Sequence, residues 1–147
     1  MAAFLVIILV FAPLLAPCVV AATALALVLR SRPRAGGSWW PLDTGSYVLV
    51  TVMSGAAALG AYAYGVMSGF YILDPDQMCA AVGTRGDHVV TRMTLPVSAQ
   101  CVTSGGVGTE LVPGWVNPVV YASLVLTALA LGAAIGTGVR RRTANRS

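Results

Sequence analysis

The chain has 147 residues, 57% of them hydrophobic and only 10% charged, and its mean hydropathy is +0.81. A water-soluble domain carries about a quarter charged residues, so a large soluble core is excluded and an integral membrane protein is indicated. The net charge of +4 rests on arginine alone, without lysine; most of these arginines flank apolar segments, which points to topology and anionic headgroups rather than to nucleic acid.

The first apolar stretch runs from Ala2 to Leu29, longer than the roughly 20 residues that cross a hydrocarbon core of about 30 Å. It has no positive n-region and is far longer than a secretory h-region, so it reads as a retained span rather than a cleaved signal. Leu15-Ala16-Pro17-Cys18 resembles a lipoprotein box only superficially, because Pro17 precedes the cysteine and the following residues stay apolar. Pro13 and Pro17 each remove a backbone donor, so a kink is expected there. Cys18 reads as a small buried apolar side chain. Arg30, Arg32 and Arg34 follow directly.

In the loop over residues 30–44, Trp39 and Trp40 sit just before the second span. Tryptophan at this place is an interfacial anchor, its ring at headgroup level. The second span is expected from Gly45 to Leu73, with Tyr71 as the anchor at its far end. Ala57, Ala61, Gly65 and Gly69 place small residues at every fourth position, the last two forming a GxxxG pattern. Such a face lets another helix backbone approach closely. Tyr62 and Tyr64 lie about 200° apart around a helix, so at least one is expected to point into the bundle.

The segment 74–115 is the longest polar part of the chain and carries Arg85 and Arg92 against Asp74, Asp76, Asp87 and Glu110. Asp74-Pro75 breaks the preceding helix, and Asp76 begins what reads as a short helical turn. Val89, Thr91, Met93 and Leu95 alternate as one face of a strand. Ser104-Gly105-Gly106 signals a turn. Cys79 and Cys101 flank this segment and, in an oxidising compartment, are most simply paired. Their spacing is unlike the Cys-x-x-Cys of a thiol–disulfide oxidoreductase. His88 is the sole histidine, too little for a metal site even beside Asp87. No nucleophile–base pair or phosphate-cradling loop stands out, so neither an enzyme nor a cofactor is expected.

Trp115 anchors the start of the third span, Val116 to Val139, and Asn117-Pro118 reads as its first turn. Ala128, Gly132 and Gly136 repeat the small-residue spacing. The simplest use of both faces is packing of spans two and three against each other; a partner protein or a second copy is the alternative. None of the spans holds an ionisable residue at its middle, which disfavours proton relays and ion pathways. Arg140, Arg141, Arg142 and Arg146 close the chain. The positive-inside rule then puts loop 30–44 and tail 140–147 in the cytoplasm, and the N-terminus and segment 74–115 outside.

The stretches Leu73-Asp-Pro-Asp-Gln-Met-Cys79, Pro96-Val-Ser-Ala-Gln-Cys101 and Leu111-Val-Pro-Gly-Trp-Val-Asn-Pro118 resemble uncharacterised small membrane proteins of actinobacteria. The exclusive use of arginine and the abundance of Ala, Gly and Val suit such a high-GC source. The resemblance covers only the outer segment and the start of the third span. It implies no activity, and it agrees with a Cys79–Cys101 disulfide.

The expected fold is a single all-α membrane domain over residues 1–147, with three transmembrane helices and a small disulfide-braced extracytoplasmic loop that allows a short β-hairpin. The expected function is that of a non-enzymatic accessory or interaction subunit of a larger membrane complex, its partners the lipid bilayer and a membrane protein or a second copy. An oligomeric transporter, channel or holin-like pore is the alternative.

Overall fold

A computed structural model describes residues 2–31, 44–68, 77, 79–80, 83, 86, 88–106 and 108–144. The continuous apolar stretches are helical, as backbone without water to bond to must be. They form α1 (Ala2–Ser31), α2 (Thr44–Met67) and α3 (Val116–Ala144). Val10–Arg30, Thr44–Met67 and Val116–Val139 are each long and apolar enough to cross a membrane. Between α2 and α3 the chain forms a three-stranded antiparallel sheet, β1 (His88–Arg92), β2 (Ser98–Val102) and β3 (Gly108–Glu110), in the order β1-β2-β3. The expected hairpin is thus extended by one strand.

α2 lies between α1 and α3 and packs on both. A third of its span is buried, against 11% for each of the others. Its small residues make this possible. A Cβ on Gly60 would collide with the Ala16 side chain of α1. One on Gly65 would lie 2.9 Å from Val116 Cγ1 of α3 and 3.3 Å from Val97 Cγ1 of the segment before β2. Five residues apart, these glycines point about 140° from each other, so α2 admits a neighbour on each side.

α2 and α3 run antiparallel with a register set by two contacts. Ser54 and Thr127 hydroxyls hydrogen-bond at 2.8 Å, and Gly65 meets Val116. Eleven residues separate Ser54 from Gly65, and eleven separate Val116 from Thr127. Hydroxyls elsewhere in the helices donate to their own backbone: Thr23 to Val19 O at 2.7 Å and Thr51 to Tyr47 O at 2.9 Å. No buried side-chain polar atom lacks a partner among the described residues.

Several expectations change. α2 ends at Met67, where the Ser68 amide and hydroxyl both bond Tyr64 O. Residues 69–73 of the expected second span lie outside the described residues. Of the two tyrosines, Tyr62 turns inward against the core cluster and Tyr64 is exposed. β1 stops at Arg92, and Met93–Pro96 is a turn, since Pro96 has no N–H for a ladder. Pro13 and Pro17, where a kink is expected, both lie inside α1. Cys18 is exposed rather than buried, its thiol 3.8 Å from Leu14 O, because α1 turns only its Ala12–Ala16 side to α2. Arg32, Arg34, Trp39, Trp40, Gly69 and Tyr71 lie outside the described residues, as do the side chains of Arg140, Arg141 and Arg142.

Gly65→Leu is expected to destabilise by about 1–3 kcal/mol, the usual cost of overpacking. Gly132→Leu, where a Cβ meets nothing within 4 Å, should leave stability unchanged or raise it. Thermal unfolding in detergent, followed by Trp fluorescence, compares the two.

Candidate functional site

The sheet and its flanking turns form a cap with one buried side. Along β2 and the residue before it, Val97, Ala99 and Cys101 are buried while Gln100 is exposed. This is the period-two alternation of a strand with one face covered. Val97 and Ala99 join Val112 in a cluster with Ala61 and Val66 of α2 and Val116 and Val120 of α3. The cap therefore packs on the flank of the helix pair as well as above its ends.

Two side chains from the helices hold it there. Asn117, in the first turn of α3, accepts from Val97 N through Oδ1 at 2.8 Å and donates from Nδ2 to Val97 O at 2.9 Å. It satisfies both backbone groups of a buried residue that lies just outside the β1–β2 ladder. Asn117 and Pro118 are in the first turn of α3, as expected, and Asn117 is in addition a clamp between helix and cap. Tyr62, partly buried against the same cluster, donates its hydroxyl to Met93 O at 2.9 Å. Trp115, exposed at the start of α3, stacks on Tyr64 with ring centroids 5.5 Å apart.

The far side is braced covalently. Cys79 and Cys101 form a disulfide, both fully buried, with Cα atoms 5.9 Å apart. Gly86 passes against it: a Cβ there would sit 3.0 Å from both Cys101 Cβ and Cys79 Sγ. Gly106, at φ +78°, closes the β2–β3 turn by donating to Thr103 O, a backbone conformation glycine adopts without penalty.

Glu110 organises the third strand. Its carboxylate accepts from Ser98 Oγ at 2.7 Å, Ala99 N at 2.8 Å, Gln100 Nε2 at 3.1 Å and Val112 N at 3.4 Å. Burial pushes its pKa up, but these hydrogen bonds together outweigh burial and hold the carboxyl below its ordinary value. The site is therefore built to hold a shape. Among the described residues no three His, Cys, Asp or Glu side chains gather as metal ligands, and His88 is exposed on β1.

The small-residue faces divide. Ala61 and Gly65 are buried and Ala57 is half-buried. Ala128, Gly132 and Gly136 are exposed, and both glycines face open space. The expected packing of α3's small residues on α2 is not found; α3 turns Val116, Val120 and Thr127 to α2 instead. On α1 and α2, Ile7, Phe11, Leu15, Val19, Ala56 and Leu59 line an apolar groove of about 360 Å³ beside the Gly60–Ala16 contact. Sequence reasoning missed Asn117 as a clamp, Glu110 as an acceptor and Gly60 as a contact. For β2 a signal was present, the alternation of Val97, Ala99 and Cys101; for the other three no spacing distinguishes them. No protein-family model, curated protein or solved structure matches this chain.

Asn117→Ala leaves Val97 N and O without their partners and is expected to cost about 1–3 kcal/mol. Faster amide exchange at Val97, measured against Val120 as reference, would show it. The Glu110 carboxylate stabilises the cap fully above its ordinary pKa, and that contribution is lost as pH falls through its depressed value. Amide exchange at Ala99 is expected to rise on acidification over that range in the native chain. In Glu110→Gln it should be raised already at neutral pH and vary less with acid.

Proposed function

We propose that this chain is a non-enzymatic small integral membrane protein that serves as an accessory or interaction subunit of a larger membrane complex. The observation that carries the reading is the cap. A small sheet is locked by a disulfide on one side and by Asn117 and Tyr62 on the other, and its outer strands β1 and β3 are largely exposed. A surface held this firmly on two helices is suited to be recognised, since little ordering remains to be done on binding. The large apolar side chains on the outside of α1 and α3, Leu14 and Leu25 on one and Leu129 and Ile135 on the other, suit lipid or neighbouring helices.

The topology proposed with it has the N-terminus and cap outside the cytoplasmic membrane of a bacterium and the arginine-rich tail within. The arginines at positions 30, 32, 34 and 140–142 support this orientation. A disulfide in the cap fits the oxidising side. The exposed Gly132 and Gly136 favour one second reading, a homo-oligomer acting as a channel or pore.

Purification from native membranes in mild detergent, at endogenous expression, tests the proposal by mass spectrometry and native mass. A foreign membrane protein is expected at fixed stoichiometry. Cys101→Ser, which releases a loop constraint of about 3 kcal/mol, should weaken its retention. Recovery of the chain alone as an oligomer would overturn the accessory reading in favour of the pore.

A further inference from the structure

We propose that the β1–β2 turn, Met93–Pro96, is a lipid-contacting element of the cap, seated in the headgroup and upper acyl region of the bilayer that the helices cross. The proposal rests on the membrane-spanning reading above and adds to it a second, non-helical contact with phospholipid.

Depth is the first argument. The register of α2 on α3 places Gly65 level with Val116. Val97 packs at that level and is bonded to Asn117. The Met93 carbonyl is held by the hydroxyl of Tyr62, and helical side chains lean toward the N-terminus of their helix, here away from the α2 end. The turn is thus fixed beside the last turns of α2 and the first of α3, inside the segments Thr44–Met67 and Val116–Val139 that have span character. It does not project beyond them.

Side-chain chemistry is the second. Met93 and Leu95 are 51% and 39% exposed, two long apolar side chains presented by one turn. Arg92, also exposed, immediately precedes them at the end of β1. An arginine next to two apolar tips matches the boundary between phosphate and acyl chain, where the guanidinium stays with the headgroup and the tips go below it. The opposite turn provides an internal comparison. The β2–β3 connection at the other end of β2, residues 103–107, is Thr103-Ser104-Gly105-Gly106 followed by one apolar residue, Val107. β2 spans about 17 Å between the two turns, and the long apolar side chains, Met93 and Leu95, are on the turn near the helices.

Nitroxide labels test this in the full-length chain. Met93→Cys, Leu95→Cys, Gly105→Cys and Leu126→Cys are each made in a Cys18→Ala background, with the Cys79–Cys101 bond verified by mass. The labelled chains are reconstituted in phosphatidylethanolamine–phosphatidylglycerol vesicles, and collision with oxygen is compared with collision with a water-soluble nickel chelate. The oxygen-to-nickel ratio at positions 93 and 95 is expected to exceed that at 105 by about threefold or more, and to approach that at 126, as immersion by about 5–10 Å implies. A ratio at 93 and 95 equal to that at 105, with 126 in lipid, overturns the proposal and leaves the spanning reading intact. Exclusion of both reagents at 93 and 95 also overturns it, since protein would then cover the turn. A water-like ratio at 126 would instead overturn the spanning reading itself.

Discussion

The paired hydrogen bonds between the Asn117 amide and the backbone of Val97 are the interaction on which the rest of the cap depends. Val97 sits where three things meet: the close approach of α2 at Gly65, the first turn of α3, and the start of the central strand. The β1–β2 ladder ends at the Arg92–Ser98 pair, so Val97 lies just outside it. A side-chain amide, carrying one donor and one acceptor, replaces a neighbouring strand. With that residue held, the inward face of β2 falls on the helices, Ala99 on the shared cluster and Cys101 on the disulfide. Buried at both ends of its inward face, the strand leaves β1 and β3 as its exposed neighbours.

The same junction explains why α2 consists so largely of small residues. It is the middle helix, and it meets α1 through Gly60 and the cap and α3 through Gly65. Without a hydrophobic drive between helices in lipid, close backbone approach and hydrogen bonds such as Ser54–Thr127 carry the association. Among the described helices, α1 and α3 each pack on α2, and both keep long aliphatic side chains on much of their remaining surface.

Much of the architecture was legible because it rests on composition and simple periodicity. Twenty-odd apolar residues without charge can be little but a spanning helix, and the Cys79–Cys101 pair and the glycine turn at Gly106 follow from local chemistry. What escaped depends on partners distant in sequence. Asn117 beside Pro118 looks like a helix start, and only the position of Val97 makes it a clamp. Gly132 and Gly136 repeat the spacing of Gly65 and yet face open space, because spacing states which residues share a face and not what that face meets. Gly60, outside the four-residue pattern, is where α1 comes closest. Glu110 is one acid in a polar segment until the Ser98–Gln100 strand lies beside it.

The register of the helix pair has a consequence at the opposite end. With Gly65 level with Val116 and Ser54 level with Thr127, the first residue of α2, Thr44, falls level with Thr137. α3 continues to Ala144, so about 10 Å of helix outlasts its neighbour. Arg140, Arg141 and Arg142 are backbone-helical residues of that overhang, so the basic stretch follows the last hydrophobic turn as helix and not as coil.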